Sequence, residues 1–200
     1  MNWLVGKSEP TFWKNYVNSF SSKKDTNRFV VFDCQKTGLD WREDTIISLG
    51  CVAIIDNKIH VSDSIEIYIE QPKATNEPTK INVGSLELGK RDILTQEQAL
   101  EKFLDYISNS ILVGLNTNLD IEMINQTLKK HDLGKLKNMV IDINILFNKT
   151  KRKPLDEIST INSLCEEYNL KPNHRQNTAG NAYLMALIFQ KLKKNLNISI

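Results

Sequence analysis

The stretch Val30-Val-Phe-Asp33-Cys-Gln35 sets an acid and an amide two residues apart at the end of an apolar run. Side chains two apart on a strand point to the same face, so Asp33 and Gln35 would share one site. Two carboxylates so arranged would be ordinary metal ligands; an amide at the second place has the same shape and no charge. Asp120 falls where a strand pattern gives way to a helical one, another natural edge of a cleft in an α/β protein. Farther on, Arg175-Gln-Asn-Thr-Ala-Gly-Asn-Ala182 runs straight into the last helical pattern. That order puts Gln176 in a loop and Asn181 in the first helical turn.

The elements that must position these residues follow from periodicity. Phe29–Asp33 is short and apolar, as a central strand is. Thr45–Ile55 and Lys58–Ile69 read as strands joined by a hairpin turn at Asp56 and Asn57, and Ile65, Ile67 and Ile69 alternate with polar residues as on a half-exposed sheet. Residues 71–94, with Pro72 and Pro78 and no sustained period, read as a loop with at most one short helix. Thr95, with Gln98 three residues later, opens a helix carrying Ala99, Leu100, Phe103, Leu104 and Ile107. Ile111–Gly114 is a strand, Asp120–Lys130 a helix, and Met139–Ile143 a strand leading into a helix through Phe147. Helices over about Glu157–Tyr168 and Asn181–Lys194 complete the chain.

Near the start, Ser8, Glu9 and Pro10 signal a helix N-terminus, after which Trp13, Tyr16, Val17 and Phe20 recur at helical spacing. This predicts a short helix packing an aromatic stripe on the domain, with docking to a partner or to a membrane surface as the other reading. Strands that come first as a meander and then alternate with helices specify an α/β fold, a mixed sheet of about five strands flanked by helices. The predicted organisation is an N-terminal helical extension over residues 1–27 and one domain over 28–195.

Three segments carry a family resemblance. "FVVFDCQKTGLDWREDTIISLGCVAI" is similar to FxxxDxETTGLD followed by an isoleucine-rich strand, "ILVGLNTNLDIEMIN" to LVGHNxxFDxxxL, and "RQNTAGNAYLMALIF" to RHxAxxDAxxTAxLF. In this order they resemble the motifs of the DEDDh family of DnaQ-like 3′–5′ exonucleases, the family of the DNA polymerase III epsilon subunit. The resemblance covers about Phe29 to Leu192 and implies a ribonuclease H-like fold. It implies phosphodiester hydrolysis with two Mg²⁺ or Mn²⁺ ions held by four carboxylates and a histidine as general base.

Carried over position by position, Asp33 and Asp120 are the two retained acids, Gln35 stands at the motif glutamate, Gln176 at the histidine and Asn181 at the last aspartate. Thr37, Gly38 and Leu39 match the segment that lines the terminal-nucleotide pocket, and Asn116 the asparagine of the second motif, whose histidine and phenylalanine are here Leu115 and Leu119. Hard cations favour anionic oxygens over amide carbonyls, so Asp33 and Asp120 are expected to bind metal weakly or not at all. The expectation is a pseudo-exonuclease, inactive or severely impaired, that binds nucleic acid or a protein partner. The alternatives are an active metal-dependent exonuclease on single-stranded DNA or RNA ends, with His174 swinging in as base, and a protein-interaction module with a vestigial cleft. Lys36 stands where the family has threonine; strand alternation from Asp33 turns it away from the site unless the Gly38 turn intervenes, in which case its ammonium near Asp33 could stand in for missing metal charge.

The bulk properties agree with such a domain. The chain has 40% hydrophobic and 25% charged residues and a net charge of +2, too small by itself to argue for nucleic acid. Glu167 is the last acid; beyond it come Lys171, Arg175, Lys191, Lys193 and Lys194. The run from Lys149 to Lys153 reads as a solvated loop, with a phosphate-backbone contact as the alternative. Cys34, Cys51 and Cys165 are widely spaced and without a CxxC pair, which predicts reduced thiols, the first two in buried strands. No apolar run approaches the ~18 residues that span a bilayer, and Met1–Lys7 lacks a signal-peptide core, so a cytoplasmic protein without membrane contact is expected. Single-stranded nucleic acid, and a protein docking on the N-terminal helix, are the expected partners.

Overall fold

The computed structural model describes residues 9–21, 27–71, 93–171 and 177–196. Its sheet grows outward from β1 (Arg28–Lys36), whose residues Phe29 to Phe32 are buried on both faces, as the apolar run requires. β1 pairs antiparallel with β2 (Ile46–Ile55) and parallel with β5 (Ile111–Gly114). β2 returns as β3 (Lys58–Ile69) through Asp56 and Asn57, both at positive φ (49° and 61°), the turn geometry that suits a twisted hairpin. β4 (Ile93–Leu94) adds parallel to β3 and β6 (Val140–Asp142) parallel to β5, giving the order β4-β3-β2-β1-β5-β6.

Among the described residues the mixed sheet has six strands, one more than the five or so expected. Ile93 and Leu94, in the stretch read as a loop, pair with Tyr68 and Ile69. Two residues are too few to show a strand period. The rest of that loop, with Pro72 and Pro78, lies outside the described residues.

Helices cover both faces, and β1 divides them by parity. Its even-numbered Val30, Phe32 and Cys34 share a core with α1 (Thr11–Ser19), α2 (Gln96–Ile107) and α3 (Thr117–Lys130). Its odd-numbered Phe29 and Val31 share the other core with α4 (Ile143–Lys151), α5 (Ile161–Glu167) and α6 (Thr178–Asn195). The capping box expected at Thr95 is present: the Gln98 N–H donates to Thr95 Oγ1 at 3.3 Å and the Thr95 N–H to Gln98 Oε1 at 3.0 Å.

Pro10 occupies the N-cap of α1 without a side-chain cap, and Ser8 lies outside the described residues. Phe12, Trp13 and Tyr16 of this helix are buried in the core of α2 and α3. The Tyr16 hydroxyl donates to Asn138 Oδ1 and accepts from the Lys137 backbone N–H, each at 2.7 Å. The aromatic stripe is thus covered by the fold itself.

Two helices begin earlier than their apolar periods, at Thr117 and Thr178, and one begins later. The later one is α5. Residues 157–160 are held out of helix because Asn144 Nδ2 and Asn148 Nδ2 both donate to the Glu157 carbonyl at 2.7 Å and the Ser159 N–H donates to Asn144 Oδ1 at 2.9 Å. β6 likewise stops at Asp142, whose side chain caps α4. Cys34, Cys51 and Cys165 are free and buried, and burial raises all three thiol pKa values. Among the described residues, no helix is long and apolar enough to cross a membrane.

Candidate functional site

Asp33 of β1, Gly50 of β2 and Glu66 of β3 lie side by side across the sheet. A Cβ on the middle residue would stand 2.1–2.4 Å from the backbone of Thr178 and Ala179, so glycine lets the first turn of α6 rest on the strand. The flanking acids hold that turn. Asn177 Nδ2 donates to Glu66 Oε2 at 3.2 Å, the Thr178 hydroxyl to Glu66 Oε1 at 3.3 Å, and Asn181 Nδ2 to Asp33 Oδ2 at 3.0 Å. Carboxylates beside a helix N-terminus are also favoured by its dipole. The docking of α6 thus brings together Asp33 and Asn181.

The other retained acid arrives from the opposite layer. Asp120 sits in the first turn of α3 and is 5% exposed. That turn is anchored by Asp142: its carboxylate accepts from the N–H groups of Asn116 (3.2 Å), Thr117 (2.7 Å) and Asn144 (2.8 Å) and from the Thr117 hydroxyl (3.1 Å), joining the starts of α3 and α4. Asn116 enters the helix in the left-handed region at φ 56°.

The partner of Asp120 is Lys36, whose ammonium donates to Asp120 Oδ1 in a largely buried ion pair. This corrects the expectation that alternation turns Lys36 away. Lys36 does face away from Asp33's side, and the face it reaches is that of α3, where Asp120 waits. The ladder also slips here: Gln35 pairs with Ser48 and Lys36 with Ile46, leaving Ile47 unopposed at the strand's end.

Gln35 accepts a hydrogen bond from the Ser48 hydroxyl at 3.3 Å. Thr37 is committed to its own loop: its hydroxyl donates to Asp44 Oδ1 at 2.7 Å and accepts from the Thr45 N–H at 3.0 Å. Gly38 packs against the same carboxylate, since a Cβ there would lie 2.4 Å from Asp44 Oδ2. Leu39, held on this pinned loop, is 80% exposed. Asn116, expected to face nucleic acid, spends its amide on the Ser159 carbonyl at 3.1 Å and so ties α3 to the loop before α5. Gln176 and His174 lie outside the described residues.

Burial pushes the Asp120 carboxyl up to about 6, with Lys36 pulling it down and Asp33 and Asp142 pushing it up. Burial raises Asp33 too, against the Asn181 hydrogen bond and the charge of Lys36. Burial alone would lower the Lys36 pKa; the charge and hydrogen bond of Asp120 outweigh it and raise it. Two carboxylates and one ammonium leave one net negative charge, and each acid already has a polar partner. Among the described residues, no group of three or more His, Cys, Asp or Glu side chains is placed to hold a metal ion. A donor set with an ammonium bonded to one acid and an amide N–H bonded to the other does not fit a divalent cation.

Sequence reasoning missed Gly50, Glu66 and Asp142. Gly50 had a signal, an isolated glycine inside a strand pattern. Asp142, an acid between a strand and a helix two residues before an asparagine, had the signal of an N-cap. Glu66 had none, because its partners lie 111 and 112 residues away.

Comparison with known proteins places these features. The RNase_T family model, described as Exonuclease, matches residues 30–176. The DNA polymerase III PolC-type of Caldanaerobacter subterraneus subsp. tengcongensis is 32% identical over 173 residues, 84% of this chain and 12% of that protein. The PolC-type enzyme of Ureaplasma parvum is also 32% identical, over 90% of this chain and 12% of its own length. The chain thus spans about an eighth of these relatives. Among solved structures, E. coli Exonuclease I in complex with a dT13 oligonucleotide superposes with a TM-score of 0.70 at 8% identity, covering 86% of this chain and 42% of that one. Cell-death related nuclease 4 superposes with a TM-score of 0.68 at 15% identity over 86% of this chain and 64% of its own. These likenesses establish the ribonuclease H-like fold.

Proposed function

The chain belongs to the exonuclease family whose model spans residues 30–176, and on that premise we propose that it binds the ends of single-stranded nucleic acid without hydrolysing them efficiently. The observation that carries this reading is the 3.0 Å hydrogen bond from Asn181 to Asp33. Where the family motif has a carboxylate, an amide donates to the first-motif acid. Hydrolysis of the family's kind needs anionic oxygens around two cations, and here Gln35 and Asn181 supply none. Gln176 in place of the motif histidine removes a general base, worth about 10²- to 10⁴-fold in rate.

Several features support binding. Leu39 stands exposed on a loop that Asp44 braces at Thr37, Gly38 and the Asp40 N–H, the kind of rigid apolar projection on which a terminal base can pack. With fewer acids than the family pattern, the cleft repels phosphates less when no cation is present. E. coli Exonuclease I, which shares the fold, has been captured with an oligonucleotide.

The test is fluorescence anisotropy of a labelled single-stranded oligonucleotide titrated with the protein in EDTA. Saturable binding that weakens as salt rises is expected, because phosphate contacts release counterions. Leu39→Ala is expected to weaken it about fivefold, as the loss of about 1 kcal/mol of apolar burial against a base would. No saturable binding even at low salt would refute the reading.

A further inference from the structure

We propose that Lys36 is the site's built-in cation: its ammonium neutralises Asp120 where the family would use a metal ion, and its presence keeps divalent ions out. This rests on the site placement proposed above, not on whether the cleft binds or cuts nucleic acid.

Three observations converge. Asp120 is buried, its side chain only 7% exposed, and a buried carboxylate needs a partner charge. The charge it has comes from the last residue of β1, three positions beyond Asp33, on a side chain itself 19% exposed. From there the ammonium hydrogen-bonds one acid and acts electrostatically on the other. Asp33 meanwhile accepts from Asn181, so each retained acid is satisfied from within the chain.

A divalent ion arriving at Asp120 would have to displace the ammonium from its hydrogen bond and then sit near it, since the Lys36 side chain is mostly buried at the end of β1. Like charges at such range repel strongly away from bulk water. Lysine delivers a compact point charge on a flexible stem, suited to this place. The family threonine at this position would leave the acids open. On this reading the lysine and the amides belong together, because one ammonium beside two carboxylates leaves a single net negative charge, whereas beside four it would leave three.

The experiment measures thermal melting of the native protein, Lys36→Arg, Lys36→Thr and Lys36→Thr/Asp120→Asn, each in EDTA, MgCl₂ and MnCl₂. The native protein and Lys36→Arg are expected to melt at the same temperature in all three buffers. Lys36→Thr is expected to melt lower in EDTA and to gain about 3–6 °C in MnCl₂ at ten times its dissociation constant. The double variant should lose that gain. A native protein stabilised by Mn²⁺ as much as Lys36→Thr would overturn the proposal, as would a Lys36→Thr that does not respond.

If Lys36→Thr does not fold in any buffer, the double variant decides. With both charges gone it should fold and ignore metal; failure to fold would show that Lys36 serves packing rather than charge balance, and would also overturn the proposal. Loss of oligonucleotide binding would leave the melting pattern intact, so the two readings fail separately.

Discussion

The carbonyl carbon of Thr178 lies so close to Gly50 that a Cβ on the glycine would stand 2.1 Å from it. This contact seats the first turn of α6 on the sheet, between Asp33 and Glu66, and lets Asn181 reach across to β1.

Gly50→Ala should therefore push α6 off the strand. Overpacking against backbone that cannot rotate away costs about 3 kcal/mol. Urea unfolding would show a lower midpoint with little change in slope. An unchanged midpoint would mean that the helix start is free to move.

Asp142→Ala should loosen α3 and α4 together. The carboxylate accepts four hydrogen bonds, three from N–H groups at helix starts, and its loss should cost about 3 kcal/mol. Amide exchange would report it: protection should fall in the first turns of both helices, including around Asp120.

The fold was legible where short-range chemistry acts alone. The Thr95–Gln98 capping box, the Asp56-Asn57 turn and the apolar core of β1 are each fixed within a few residues, and each appears as read. Helix starts were less legible. Asn144 and Asn148 hold residues 157–160 out of helix through contacts with the Glu157 carbonyl and the Ser159 N–H that no local pattern encodes.

The same division holds at the site. Asp33, Asp120 and Asn181 were found by motif, and the structure brings Asn181 to Asp33. The partner of Asp120 was not found, since Lys36 and Asp120 are 84 residues apart and meet only because α3 covers the even-numbered face of β1.

Asn181→Asp should make folding pH-sensitive. The new carboxyl would lie against Asp33, and two adjacent acids cannot both ionise cheaply, so one pKa rises in the folded state. A raised carboxyl pKa favours the folded state below the unfolded value near 4, and that advantage is lost as pH rises through the folded pKa. The variant should melt several degrees below the native protein at pH 8 and close to it at pH 4.5. Equal melting at both would show that the two side chains can separate.

Tyr16 should govern part of the alkaline limit. Burial pushes its pKa up to about 12, with the Lys137 and Asn138 contacts pulling it down. The unfolded chain ionises first, near pH 10, so this group's contribution is present below pH 10 and lost as pH rises toward 12. The slope is about 1.4 kcal/mol per pH unit. The buried thiols act in the same direction from lower pH, so the readout is the difference between native protein and Tyr16→Phe. The variant should be less stable at pH 8 and show a shallower decline above pH 10.

The decisive measurement is degradation of a 3′-labelled single-stranded oligonucleotide in Mg²⁺ and in Mn²⁺. The native protein would be run beside a variant carrying Gln35→Glu, Gln176→His, Asn181→Asp and Lys36→Thr. A silent native protein and a variant that shortens the substrate from its 3′ end are the predicted result, with the cleft intact and the amides and lysine silencing it. A native protein that cuts at a comparable rate would contradict the assignment, and would mean that Asp33 and Asp120 hold a working metal ion despite Asn181 and Lys36.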